Sequence, residues 1–251
     1  MIRAIALVLA MALPVQAEQI VAGLSQTEVS INANFAGSEI IVYGAVKRDA
    51  PAPKKPRLEV IVTVEGPADP LIVRKKDRRF GIWVNAESVQ IDLAPSFYAV
   101  ATTGPLSEIL TDAENLRYQI TVPSEIRAVG IARQTDNSTD FIAALLRIRE
   151  DEGRYRIAEG AVELTDSTLF RADVVLPANL TEGDYRVRMY ITRGGMVIDA
   201  QDQVIAVQKQ GLERFVNRLS KSQPLIYGLL SLAMAVAAGW GASTAFRFFR
   251  A

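Results

Sequence analysis

The 251-residue chain contains no cysteine and no histidine. That excludes disulfides, thiol chemistry, Cys/His zinc sites, and Ser-His-Asp or Cys-His triads. A sandwich exported without disulfides must be held by its core alone. Net charge is missing too, since 28 Lys+Arg balance 28 Asp+Glu. There is no Ser-x-x-Lys, no Gly-x-Ser-x-Gly and no phosphate loop. Between residues 18 and 208 the only methionines are Met189 and Met196, too few for a Met-rich copper site. No cofactor and no metal are expected. The length allows one large domain or two modest ones.

What is present is concentrated at the two ends. Arg3, the apolar run Ala4 to Leu13, Pro14 and Val15-Gln16-Ala17 have the order of a secretory signal peptide. Cleavage is expected between Ala17 and Glu18. Ten apolar residues cover only about 15 Å as a helix, too short to span a bilayer easily. Leu225 to Phe246 is an uncharged run that reaches about 33 Å as a helix, enough for the hydrocarbon core. Trp240 and Phe246 lie toward its far end, followed by Arg247 and Arg250, as suits an interface and a cytosolic stop. Lys209, Arg214, Arg218 and Lys221 on the near side would by counting favour the cytosol, but export of the preceding domain overrides the count. The expected topology is a periplasmic domain, one span through the inner membrane and a cytosolic tail.

Residues 18–208 carry 21 basic and 27 acidic side chains, whereas 209–251 carry six basic and one acidic. An acidic domain above a basic collar gives no support for nucleic-acid binding.

The exported region reads as mainly β. Glu39–Val46, Leu58–Val64, Leu71–Val73, Gly81–Val84, Val89–Leu93 and Phe97–Ala101 are short β-branched or aromatic runs at sandwich-like intervals. The period then changes. Leu106, Ile109, Leu110 and Ala113 recur at helical spacing, as do Phe141, Ala144, Leu145 and Ile148. Leu169–Leu176, Tyr185–Thr192 and Val197–Val207 return to alternation, with Gly194-Gly195 as a hairpin turn. Leu180 to Tyr185, with Gly183, has the form of a tyrosine corner of immunoglobulin-like sandwiches. Gln210 to Lys221 places Leu212, Phe215, Val216 and Leu219 on one helical face, which suits a helix lying on the outer leaflet or packing on the domain.

The expected layout is a signal peptide over 1–17, an N-terminal β-sandwich over 18–104, a helical insert over 105–160 and C-terminal immunoglobulin-like strands over 161–208. An amphipathic juxtamembrane helix (209–222), a transmembrane helix (225–246) and a cytosolic tail (247–251) complete it.

Candidate chemistry is sparse. Arg74, Lys75, Lys76, Arg78 and Arg79 place five cations in six residues, a candidate patch for a lipid headgroup, a sulfur oxyanion or an acidic partner, or else a solvated loop. Lys54, Lys55 and Arg57 would join it if the intervening strands form a hairpin. Asp136-x-Ser138-x-Asp140 mimics the start of a calcium loop, but Phe141 and Arg147 stand where Gly and Glu are needed, so a helix cap is the better reading. Glu150-Asp151-Glu152 cannot flank a glycosidic bond from one turn. Trp83 suits core or interface equally. Ser231, Ala235, Gly239 and Ser243 repeat every four residues along the span, a ridge on which another helix can pack.

Gly211-Leu-Glu-Arg214-Phe215, Gln223-Pro-Leu-Ile-Tyr227-Gly228 and Ala238-Gly239-Trp240, with Phe80-Gly-Ile-Trp83-Val-Asn85, Pro95-Ser-Phe-Tyr98-Ala and Leu169-Phe-Arg-Ala, resemble the alphaproteobacterial putative transmembrane protein family. That family has no established activity. Its members are often encoded beside permeases that look like sulfite exporters, so the resemblance implies a permease partner. The expected role is a non-catalytic accessory protein at the inner membrane, self-associating or partnered through the span. The alternative is a periplasmic solute-binding domain or a His/Cys-independent enzyme acting on an anionic ligand.

Overall fold

The computed structural model describes residues 18–32, 35–49, 51, 53, 55–126, 138–209, 216 and 219–249. The signal segment up to Ala17, Lys54, Asp136 and most of the juxtamembrane segment lie outside the described residues.

The strands are β1 (Glu18–Leu24), β2 (Glu28–Ile31), β3 (Ser38–Arg48), β4 (Leu58–Glu65), β5 (Ala68–Arg79), β6 (Ile82–Pro95) and β7 (Tyr98–Thr102). Among the described residues four helices follow, α1 (Leu106–Ile109), α2 (Asp112–Tyr118), α3 (Val122–Glu125) and α4 (Ser138–Asp151). Then come β8 (Tyr155–Ala158), β9 (Val162–Thr165), β10 (Leu169–Leu176), β11 (Gly183–Arg193), β12 (Met196–Lys209) and the 26-residue helix α5 (Pro224–Phe249). The chain divides into two units, one holding the sheets with α1–α4 and the other holding α5.

The first sheet runs β1-β3-β10-β9 and the second β2-β12-β11-β4-β7-β8. The class is mainly β, as the alternating runs imply, but the ranges 18–104 and 161–208 do not form separate sandwiches. β3 pairs with β10, and β4 lies between β11 and β7, so strands from both halves interleave in both sheets. The cause is pairing at long sequence separation, which buries the alternate residues of β3, β10 and β11 against each other. Ile40, Val42, Phe170, Val174, Val187 and Met189 are all buried there.

The centre of the second sheet is covered on both faces. β4 and β7 are almost wholly buried, as a near-continuous apolar run requires. Their outward residues Ile61, Tyr98 and Val100 share a second core with Ile109, Ile120, Val122, Phe141 and Leu145 from the helical segment. Residues 106–125 therefore act as a lid on the sheet. The helical spacing from Leu106 to Ala113 crosses a break: Leu110 is extended, and the Thr111 side chain accepts from the Glu114 N–H to start α2.

The turn between β11 and β12 is Gly194-Gly195, both at positive φ (60° and 80°), the geometry that a two-residue hairpin with right-twisted strands demands. β5 and β6 form their own two-stranded ribbon. In the other unit, Pro224–Ala242 of α5 is apolar and long enough to cross a membrane, covering about 29 Å.

Candidate functional site

The five cations of residues 74–79 lie on β5, in a strand and not in a solvated loop. Cations alternate with no apolar partner there, so no burial pattern marks the strand in the sequence. Backbone pairing with β6 supplies it: Arg74 opposes Ser88, Lys75 opposes Glu87, Lys76 opposes Asn85, Arg78 opposes Trp83 and Arg79 opposes Ile82. The base of the ribbon is held by Val73, Val89 and Ile91 in the outer core. Beyond Val73, the cations and the residues opposite them are largely exposed to solvent, and six residues of strand extend about 20 Å.

The tip is Phe80-Gly81, both at positive φ (51° and 87°). Asn or Gly normally fills such a turn, and a bulky side chain in this region is strained. Phe80 is nonetheless fully exposed, and Ile82 and Trp83 beside it are 65% and 67% exposed. Arg78 Nε donates to the Gly81 carbonyl at 3.4 Å, and Arg79 lies 3.6 Å from Asp77. Lys55 and Arg57 precede β4, which pairs with β7 and β11 and not with β5, so the hairpin that would bring them to this cluster does not form.

At the foot of the ribbon, Val73, Arg74 and Lys75 face Asp140, Phe141, Ala144, Arg147 and Ile148 of α4 across a groove of about 310 Å³. Glu152, after α4, is occupied by Arg149 and Arg154 at 3.1 and 3.2 Å.

Two buried ionic clusters went unnoticed in the sequence. Arg188, on the outward face of β11, donates to the Tyr98 hydroxyl (2.9 Å), to the carbonyls of Tyr118 (3.0 Å) and Gln119 (3.1 Å), and to Glu125 (3.3 Å). Tyr98 in turn donates to the Ile120 carbonyl at 2.9 Å. Glu65 lies 4.0 Å from Arg188. Burial, and then the charge of Glu125, push the Glu65 carboxyl above its ordinary range against the pull of Arg188 and Arg186. Burial also raises the Tyr98 hydroxyl, and raises Tyr190 to about 12. The cluster ties the helical lid to the sheet. An Arg in an alternating strand reads as solvent-facing, but Tyr190 and Thr192 on the same face, and the unbroken apolar run of β4, were the available signals that this face is covered.

The second cluster closes the end of the sandwich. Glu18, the residue expected to follow the cleavage site, is buried and accepts from Arg48 Nε (2.6 Å) and from Arg193 Nη2 (2.9 and 2.8 Å). Burial opposes its ionisation, but the bonds and charges of Arg193 and Arg48 outweigh this and hold its pKa below the ordinary carboxylate value. At the other corner, fully buried Tyr185 donates to the Thr181 carbonyl at 3.0 Å, beside Gly183 at φ 149°.

On α5, Ser231 donates back to the Tyr227 carbonyl at 2.9 Å, and nothing approaches within 4 Å of where a Gly239 Cβ would stand. Ala235 is exposed, and the side chain of Ser243 lies outside the described residues. Met189 is buried in the sandwich, whereas Met196 is exposed. Among the described residues, no three His, Cys, Asp or Glu side chains converge in a group that could hold a metal ion.

A family model described as "Putative transmembrane protein (Alph_Pro_TM)" matches residues 19–248. The chain belongs to this family. The match takes in nearly all of the sandwich, the ribbon, the Arg188 cluster and all but the last residue of α5 of this Alph_Pro_TM member, so it includes the candidate span. No curated protein matches it. Among solved structures, the crystal structure of Spo0M, the sporulation control protein from Bacillus subtilis, is similar over 80% of this chain at 10% identity and a TM-score of 0.29. The chain spans about half (52%) of that protein's length, and so loose a likeness carries no argument.

Proposed function

We propose that this family member is an exported, membrane-anchored interaction protein, a non-catalytic accessory subunit of an inner-membrane assembly. In this reading α5 anchors the chain with its C-terminus in the cytosol, and the sandwich stands in the periplasm. The permease that the family resemblance implies is engaged through the span. The carrying observation is the ribbon: three exposed apolar residues at its tip and five cations behind them, on a domain that is otherwise acidic. Exposed apolar groups rimmed by charge are how interaction surfaces are built.

A photo-reactive residue placed at position 80 in living cells should form abundant adducts, identified by mass spectrometry, while one at Val175 on the exposed face of β10 should not. Equal and sparse adducts from both positions would remove the interaction reading.

The groove between β5 and α4 supports the second reading, a site for an anionic solute, because Arg74, Lys75 and Arg147 line it. Its volume is at the small end for ligand sites. Weak, salt-sensitive binding of sulfite or sulfate that Arg147→Ser abolishes would favour it.

A further inference from the structure

We infer that the partner of the ribbon tip is an anionic lipid surface, an inference that rests on the ribbon being an interaction surface. The reason lies in how charge and apolar groups are distributed along the ribbon's axis. Residues opposite one another share a face, so Arg78 and Trp83 lie on one side and Arg79 and Ile82 on the other. Each face therefore carries an apolar group next to a cation, and Phe80 caps both. A protein partner would meet one face. An apolar point with a cationic collar on both sides matches a planar interface, where the tip enters the acyl boundary and the collar stays among the headgroups.

The dimensions agree. From the tip to the pair Arg78–Trp83 is about two residue steps, or about 7 Å, within the about 5–10 Å to which interfacial segments are buried. Long Arg and Lys side chains can lie along the apolar part while their heads stay wet. Phe80 also holds a left-handed conformation that Gly would hold without strain, yet its side chain touches solvent alone, which makes sense if the exposed ring is what the turn is for.

Charge selects the lipid. The ribbon beyond Val73 carries five cations against Asp77 and Glu87, whereas residues 18–208 as a whole have six more acidic than basic side chains. An anionic surface thus attracts the ribbon and repels the rest of the domain. Each cation near such a surface changes the bound-to-free ratio by about fivefold. The span keeps a bilayer permanently at hand, so modest intrinsic affinity suffices.

The chain has two tryptophans, Trp83 and Trp240. In full-length protein carrying Trp240→Phe, Trp83 is the only indole. Reconstituted into vesicles of phosphatidylglycerol and phosphatidylcholine with brominated acyl chains, Trp83 should be blue-shifted, quenched by shallow bromines and shielded from iodide. In pure phosphatidylcholine it should be open to iodide. Adding Arg78→Ser and Arg79→Ser, both at exposed positions, should lower the inserted-to-free ratio by on the order of tenfold or more. Ile82→Ser should weaken quenching without changing its dependence on lipid charge.

Trp83 that is unquenched and iodide-accessible in anionic vesicles overturns the inference, and so does equal quenching in neutral and anionic ones. If Trp83 stays unquenched while position 80 still forms protein adducts in cells, the lipid inference falls and the interaction reading stands. If position 80 forms no adducts, the interaction reading itself falls.

Discussion

Replacing Arg188 by Met should detach the helical lid from the sheet. The Met side chain fills comparable space but donates nothing. Glu125 would lose its partner at 3.3 Å, and the carbonyls of Tyr118 and Gln119 would lose donors at 3.0 and 3.1 Å. The Tyr98 hydroxyl would keep its bond to Ile120 but lose the guanidinium. Breaking a buried ion pair by removing one partner costs about 3–5 kcal/mol, because the other charge stays buried. The cost should depend on pH. Glu65 already has a folded-state pKa above its ordinary value, so the folded state holds its proton more tightly. The contribution of that group to stability is therefore full at low pH and lost as pH rises through the raised value. Without Arg188 only the pull of half-exposed Arg186 opposes the rise, and the variant should be hurt more at neutral pH than in mild acid. The two tryptophans lie in the ribbon and the span and cannot report on this cluster, so the assay is hydrogen–deuterium exchange by mass spectrometry on the full chain in mild detergent. Amides of α2, α3 and β11 should exchange about a hundredfold to several thousandfold faster. Arg186→Met, at a half-exposed neighbour on the same strand, should change exchange little. Unchanged protection of α2 and α3 in Arg188→Met, or an equal effect from Arg186→Met, would refute the reasoning.

Glu18→Gln should cost about 2–3 kcal/mol by unpairing Arg48 and Arg193. Because the Glu18 pKa is lowered, that contribution is present above the ordinary carboxylate pKa and lost as pH falls through the lowered value, so melting curves of wild type and variant should converge in acid. Gly44→Ala should destabilise by about 1–3 kcal/mol in denaturant unfolding, since its Cβ would lie 2.5 Å from Phe170 Cζ and 2.8 Å from Ala22 Cβ. Tyr185→Phe should cost about 1 kcal/mol in the same assay through loss of the bond to Thr181. If the span carries the proposed association, Gly239→Leu should reduce co-purification with the proposed permease partner or a second copy while leaving insertion intact, and Leu229→Ala should matter less.

Much of the fold could be read where burial imposes a period. β10 coincides with the alternating run from Leu169 to Leu176, and the β11–β12 turn falls at Gly194-Gly195, because each has one face in a core and one in water. Parts of the ribbon, Leu71–Val73, Gly81–Val84 and Val89–Leu93, were legible, but residues 74–79 escaped for the opposite reason: with both faces wet they have no hydrophobic period, and only cross-strand pairing reveals a strand. β1 and β9 were also missed: they are the two edge strands of the first sheet, each only partly buried, and β9 has just four residues. Interleaving of the two halves comes from the pairings of β3 with β10 and of β4 with β11, which are distant in sequence and leave no local trace. The cations and Trp83 could be recognised individually, but their union at one tip required the turn at Phe80-Gly81. Arg188 could not be assigned to a buried cluster, because what covers it comes from residues 118–125, about 70 positions earlier.

The absence of native cysteine permits a direct test of an exported domain with a membrane-engaged ribbon. Full-length protein with Ile82→Cys or Val175→Cys would be exposed in spheroplasts to a membrane-impermeant maleimide. Both sites are exposed in the folded domain, at 65% and 51%. The expected result is rapid labelling at position 175, protection at position 82, and equal labelling once detergent dissolves the membrane. Equal labelling at both sites in intact spheroplasts would contradict ribbon engagement, and labelling at neither until lysis would contradict export.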